Sequence, residues 1–154
     1  ASLDAETPVE RWVDAGHLTR GVVESAIDAF RGPIVQRPPV FSAKKVDGKR
    51  AYKVARAGGD IELPVVDVTV HGLELVAFEP LEVDGHAVCD VTLDIRCSKG
   101  TYIRSIGRDL GEALGVGGTL VALRRTASGQ FIEDQLWTVE EAVERITACP
   151  AEGT

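Results

Sequence analysis

No run of about 18 apolar residues occurs anywhere in this chain, which removes a membrane-spanning helix from consideration. It does not open on a basic, apolar, small-residue leader either, so no secretory signal is indicated and a cytoplasmic location is the expectation. Cysteine is scarce. Cys89, Cys97 and Cys149 lack C-x-x-C spacing, and the first two fall on the apolar side of a strand pattern, where they read as small hydrophobes rather than a disulfide or a metal set. His17, His71 and His86 are scattered, with no H-x-x-x-H and no clustered Cys and His, so no metal site is expected. The run Gly115-Val116-Gly117-Gly118 is not a phosphate-cradling loop, because it follows a helix pattern rather than preceding one. No internal repeat is visible.

What is present is enough for one ordinary domain: 154 residues, 44% of them hydrophobic. The net charge of -7 argues at first against a polyanion partner, but the charges are segregated. Lys44, Lys45, Lys49, Arg50, Lys53 and Arg56 face only Asp47 across residues 41 to 58, whereas residues 59 to 94 hold nine acids and no base. Arg96, Lys99, Arg104, Arg108, Arg124 and Arg125 then outnumber Asp109 and Glu112, and the chain turns acidic again after Phe131. Phosphate neutralisation is local, so two basic blocks framed by acidic ones suit a localised polyanion site; a merely solvated face is the alternative.

Residues 1 to 17 are polar and acidic, without a clear period, and read as a surface connection or the tail of something larger. Thr19 caps a helix running to about Phe30, with Val22, Val23, Ala26, Ile27 and Phe30 as its apolar side, and Gly32-Pro33 ends it. Consecutive prolines make Gln36 to Lys45 extended, and a short helix is expected over about Ala51 to Ala57. Val65 to Phe78 reads as a strand with a bulge at Gly72, followed by a turn at Val83 to Gly85. His86 to Cys97 alternates with Ala87, Cys89, Val91, Leu93, Ile95 and Cys97 on one face, which predicts an antiparallel pair.

After that strand, Ile103, Ile106, Leu110 and Leu114 recur at helical spacing, with Ser98 or Thr101 as the N-cap. Arg104, Gly107, Arg108 and Gly111 share one side of this helix, so two charges sit beside two positions that another backbone or a ligand can approach closely. Thr119 to Phe131 is expected to return as a strand. Thr138 and Glu141 have capping-box spacing, and Leu136, Val139, Ala142, Val143 and Ile146 form an apolar stripe on a last helix. The fold class expected is α+β, a mixed, mostly antiparallel sheet flanked by helices, with exposed apolar surface.

The segment from Gln36-Arg37-Pro38-Pro39-Val40-Phe41-Ser42-Ala43-Lys44-Lys45 to Ala51-Tyr52 is followed by Ser98-Lys99-Gly100-Thr101-Tyr102-Ile103-Arg104-Ser105, Asp109-Leu110-Gly111 and Leu123-Arg124-Arg125-Thr126. Together these closely resemble the bacterial tRNA pseudouridine synthase B family, in order and over essentially the whole chain. The resemblance implies isomerisation of the tRNA T-loop uridine to pseudouridine, with neither metal nor cofactor. It also implies that residues 1 to 154 are the C-terminal part of a catalytic domain, with an RNA-contacting segment at about 36 to 59 and no complete C-terminal RNA-binding domain. The family's aspartate lies in a Gly-x-Leu-Asp-Pro-type motif. This chain lacks that motif, so the 154 residues alone are expected to be inactive. Ser2-Leu3-Asp4 lacks the proline, and Asp4-Ala5-Glu6 is more similar to the Asp-Ala-Glu-Gly stretch that follows the family's catalytic region. The family's base-stacking tyrosine is missing as well.

By resemblance, Arg104 pairs with the absent aspartate, Tyr102 lines the uracil pocket and Leu123 supplies an apolar contact. Lys44, Lys45, Lys49, Arg50, Lys53 and Arg56, with Arg124 and Arg125, hold the backbone of a T-stem-loop. Each role has a physical basis. A guanidinium favours an ionised carboxylate, and the target base must leave its stack to reach a pocket. The bland readings are Tyr102 and Leu123 as core residues and Arg104 as an ion pair with Asp109. Thr119 stands where the family commonly has histidine. Two rivals remain: a non-catalytic RNA-binding or chaperone module of the same fold, and an interaction protein that pairs through a sheet edge.

Overall fold

The computed structural model describes residues 3–5, 8–39, 45–46, 49–50 and 63–148, which form two compact units, Ala1–Ala122 and Leu123–Thr154. The first unit is α+β. Helix α1 (Arg20–Ile27) continues as a 3-10 turn over Asp28–Phe30 and leads into strand β1 (Gly32–Gln36). Thr19 caps α1 by accepting the Val22 N–H at 3.4 Å, as the sequence predicts. A minimal hairpin, β2 (Lys45–Val46) with β3 (Lys49–Arg50), is followed by strands β4 (Val66–Val83) and β5 (His86–Cys97) and helix α2 (Ile103–Ala113). The expected helix over 51 to 57 lies outside the described residues.

β4 is central in an antiparallel sheet of order β1-β4-β5. β5 has the boundaries its alternation predicts, since a strand with one wet face writes its period directly into the sequence. β4 carries two register shifts, one between Val70 and Gly72 as expected and a second between Leu75 and Ala77. Each inserts one residue, so the inward positions run Val68, Val70, then Leu73, Leu75, then Phe78. β1 reaches only as far as Val70 on β4. Beyond it, Arg31 donates to the Leu73 carbonyl at 2.7 and 3.0 Å, and Arg20 donates to Leu75 at 2.8 Å, tying α1 to the bulged strand.

Val23 and Ile27 of α1, Val70 and Leu73 of β4, and Ile106 and Leu110 of α2 form the buried core. At about 1.5–3 kcal/mol for each fully buried aliphatic side chain, these six side chains dock both helices on one sheet face. Val22, expected on the apolar side of α1, is exposed instead. The N-terminal segment is more than a surface connection. Ala15 and Leu18 are buried, the Ala15 amide donates to the Ala87 carbonyl at 3.0 Å, and Trp12 stacks on His86 with ring centroids 5.0 Å apart. Its lack of period follows from running beside an edge rather than forming an element.

α2 ends in a Schellman turn. Leu114 is its C-cap, Gly115 sits at φ +76°, Gly115 N–H reaches Glu112 and Val116 N–H reaches Gly111. The glycine-rich connection then folds back on the helix: a Cβ at Gly111 would run into the Gly117 carbonyl, and one at Gly118 into the Gly107 carbonyl oxygen. Of the two helix glycines, therefore, Gly111 is the one that backbone approaches, and a Cβ at Gly107 would meet nothing.

The second unit corrects one expectation. Thr119 to Phe131 does not return as a strand. The strands there are β6 (Ala127–Ser128) and β7 (Phe131–Ile132), two residues each and paired with one another. Residues 123 to 126 find no ladder; Thr126 instead accepts the Glu133 N–H at 2.8 Å. Helix α3 (Val139–Ala148) has the expected capping box, with Thr138 N–H on Glu141 Oε2 at 2.8 Å and Glu141 N–H on Thr138 Oγ1 at 3.2 Å. Its stripe of Leu136, Val139, Val143 and Ile146 stands exposed.

The two glycines of α2 should respond oppositely to alanine. Gly107→Ala should stabilise by about 1 kcal/mol through helix propensity, whereas Gly111→Ala should cost about 1–3 kcal/mol through forced backbone displacement. Urea unfolding measures both, and a stabilised Gly111→Ala would contradict the packing described.

Candidate active site

The strand-to-helix corner from Cys97 to Arg104 is built by its own hydroxyls. Ser98 extends the β4 ladder by one step, its N–H donating to Thr69 O at 2.8 Å and its Oγ accepting the Thr69 N–H at 2.9 Å. Gly100 turns the chain at φ +89°, a conformation that side-chain-bearing residues rarely adopt. Thr101 Oγ1 donates back to Ser98 O at 2.9 Å, closing the turn. Both candidate caps are thus engaged in the turn, and the N-cap of α2 is Tyr102, which offers no side-chain cap. Its carbonyl accepts the Ser105 and Ile106 N–H groups at 3.1 and 3.2 Å.

Tyr102 is held from β1. Gln36, 1% exposed, accepts the Tyr102 N–H on Oε1 at 2.9 Å and donates from Nε2 to the Tyr102 carbonyl at 3.2 Å. The next residue continues the junction: the Arg37 carbonyl accepts from Ser105 Oγ at 2.8 Å and from Arg108 Nη2 at 3.1 Å. Pro38 and Pro39 are fully buried and stiffen the exit.

Two residues beyond Tyr102, Arg104 projects from the first turn of α2 and donates from Nη1 to Asp4 Oδ2 at 2.9 Å, with side-chain exposures of 25% and 20%. This partner is a correction to the bland alternative, in which Asp109 would hold Arg104. Asp109 pairs with its neighbour Arg108 at 2.6 Å. Segment 3–5 is pinned beside the end of the glycine connection, where the Leu120 N–H donates to Leu3 O at 3.0 Å and Asp4 bridges Leu120. The Arg104–Asp4 pair is more sheltered than an ordinary surface bridge, so it orders the guanidinium more firmly than exposed pairs do.

The remaining predicted residues divide. Leu123 belongs to the second unit and is 61% exposed, so it is not a core residue. Arg124 pairs with Glu133 at a mostly exposed position, and Arg125 is exposed. Lys45, Lys49 and Arg50 lie on the β2–β3 hairpin, with Lys45 opposite Arg50 and Val46 opposite Lys49. Lys44, Lys53 and Arg56 lie outside the described residues. Clefts of about 550 Å³ beside Glu24, Arg31 and Glu74 and about 230 Å³ beside Val35, Thr69 and Ser98 include neither Tyr102 nor Arg104 in their lining.

Among the described residues no group of three or more His, Cys, Asp or Glu could hold a metal ion, and no helix is long and apolar enough to cross a membrane. Burial, and then the neighbouring Asp90 charge, push the Cys89 thiol above its usual range.

Residues 1–103 match the TruB family pseudouridylate synthase N-terminal domain, and residues 104–151 match the tRNA pseudouridylate synthase B C-terminal domain. The chain belongs to the TruB family. The tRNA pseudouridine synthase B of Mycobacterium avium (strain 104) is 47% identical over 147 residues, covering 96% of this chain and 45% of that protein. That of Mycobacterium leprae (strain TN) is 44% identical, covering 92% and 44%. That of Streptomyces griseus is 40% identical, covering 96% and 50%. The chain therefore spans about half the length of the curated relatives it matches. A chain in the crystal structure of a Cbf5-Nop10-Gar1 complex superposes with a TM-score of 0.56 at 32% identity, over 84% of this chain and 32% of that one. The TruB domain models meet at the first turn of α2, between Ile103 and Arg104, whereas the compact units divide after Ala122.

Two residues of this TruB corner escaped the sequence reading as site elements. Gln36 opens the block that carries the family resemblance, but nothing in the sequence assigns it a role. Asp4 lies a hundred positions from its partner.

Proposed function

We propose that this chain carries the arginine-and-tyrosine side of the active site of a tRNA pseudouridine synthase, acting on the uridine of the T-loop. The observation that carries this reading is Arg104, ordered by Asp4 at 2.9 Å and set two residues from Tyr102 at a corner where hydrogen bonds fix the backbone. In the full-length enzyme the guanidinium faces the catalytic carboxylate supplied by the Leu-Asp-Pro region. A planar group with five N–H donors is able to serve more than one carboxylate, so engagement of Asp4 is compatible with that role. Tyr102 presents an aromatic body with a polar tip to the flipped uracil, and Leu123 an apolar contact.

The carboxylate takes part as nucleophile or base, the glycosidic bond breaks, the uracil rotates, and C5 rejoins the ribose. What this chain contributes is the charge that keeps the carboxylate ionised and the surface against which the base turns. Lys44, Lys45, Lys49, Arg50, Lys53 and Arg56, with Arg124 and Arg125, bind the T-stem-loop backbone, since folded RNA is read largely through shape and phosphates. The enzyme acts in the cytoplasm, with no metal or cofactor.

Two measurements on the full-length protein test this reading. Arg104→Ala should lower isomerisation of a T-stem-loop by about 100-fold or more while RNA affinity changes little. Equal losses in rate and affinity would reduce Arg104 to a binding residue, and RNA binding without turnover by the unaltered protein would favour the non-catalytic module. Lys49→Glu combined with Arg50→Glu should weaken RNA binding and flatten its dependence on salt. Unchanged affinity at low salt would remove the hairpin from the RNA surface.

A further inference from the structure

Burying a carboxamide costs free energy unless each end finds a partner, and a position that only has to fill space is better served by leucine or methionine. Gln36 is buried at the end of β1, on the inward side that Ile34 shares. Helix α2 does not need it for docking: Ile106 and Leu110 already pack against Val23, Ile27, Val70 and Leu73. Both ends of the Gln36 carboxamide go to the main chain of one residue, at 2.9 Å to the Tyr102 N–H and 3.2 Å from Nε2 to the Tyr102 carbonyl.

Two bonds between one planar group and both sides of one residue close a ring. They fix rotation as well as position. Tyr102 needs this restraint, because at φ -95° and ψ 104° it stands outside the helix and has no side-chain cap of its own. Ser105, which is fully buried, and Arg108, which is partly exposed, both bond to the Arg37 carbonyl, extend the clamp one turn further and, with Tyr102, bracket Arg104. The bonds that Gln36 and Arg37 make to this helix thus land on Tyr102 itself and on residues one and four positions beyond Arg104.

We infer that Gln36 is a positioning residue for the isomerisation: its carboxamide sets the Tyr102 backbone, and through it the aim of the Tyr102 ring and the Arg104 guanidinium. This rests on the synthase reading above. Gln36 touches no substrate in this account, so its loss should appear in the chemical step and not in RNA binding. A displacement of about 1 Å at a reacting group is enough to cost on the order of 100-fold in rate.

The test uses the full-length protein with Gln36→Met, which keeps the length and removes both hydrogen bonds, and Gln36→Leu as a second variant. Single-turnover isomerisation of a T-stem-loop, RNA affinity, thermal melting and amide exchange at Tyr102 are measured for each. Val23→Ala in the core serves as a control for general loosening. The expected result is a rate lowered about 10- to 100-fold, affinity within about twofold, and faster exchange at Tyr102, while Val23→Ala melts earlier but keeps the unaltered protein's rate. Unaltered rates in folded Gln36 variants, or an equal rate loss in Val23→Ala, overturn the positioning role and leave the synthase reading intact. Absence of turnover in the unaltered protein overturns the synthase reading itself, and the role of Gln36 with it.

Discussion

The first unit depends on the junction between the end of β1 and the start of α2. Apolar contacts bring the helix to the sheet, but Ile106 and Leu110 are adaptable surfaces that would tolerate some sliding and rotation. The hydrogen bonds from Gln36 and Arg37 to Tyr102, Ser105 and Arg108 remove that freedom. They are directional, and breaking those made by Gln36 or Ser105 strands a buried polar group. The junction therefore converts a packed interface into a single geometry, and it does so where a tyrosine and an arginine leave the backbone.

A second constraint acts on the same corner from the other side. The Schellman turn after α2 sends Gly117 and Gly118 back along the helix at Gly107 and Gly111, and this close return carries Leu120 to the segment holding Asp4. Without glycine at 111 the connection would stand off, and the backbone that places Asp4 would lose its anchor. The helix is thus gripped at its first turn by β1 and at its last by its own loop. The Arg104–Asp4 pair closes between them.

Much of this was legible in the residues where local rules and burial agree. β5 repeats every second residue, α2 every third or fourth, and the capping box at Thr138 and Glu141 is a purely local motif. Gly72 announced a bulge because an apolar phase shift and a glycine coincided. What stayed hidden depends on partners far along the chain. β1 is five residues with a proline and a buried glutamine, so its period is too short to read, and the second bulge at Val76 carries no glycine to mark it. The N-cap was misplaced because Ser98 and Thr101 have the right chemistry for a cap but are committed to the turn before it. The strand expected over 119 to 131 failed because residues 121 to 126 join no ladder, and the pairing that does form stops at Ala127–Ser128 with Phe131–Ile132. At the site, Tyr102 and Arg104 were found through family resemblance, whereas Asp4 and Gln36 reach them only in three dimensions.

The central claim is that the corner at Tyr102 and Arg104 receives the target uridine. The most direct measurement is zero-length photocrosslinking from 4-thiouridine at the target position of a T-stem-loop bound to the full-length protein, with the joined peptide identified by mass spectrometry. The account predicts a crosslink within the peptide that carries Tyr102 to Arg104. A crosslink confined to α3, or to the acidic outer positions of β4 and β5, would contradict it.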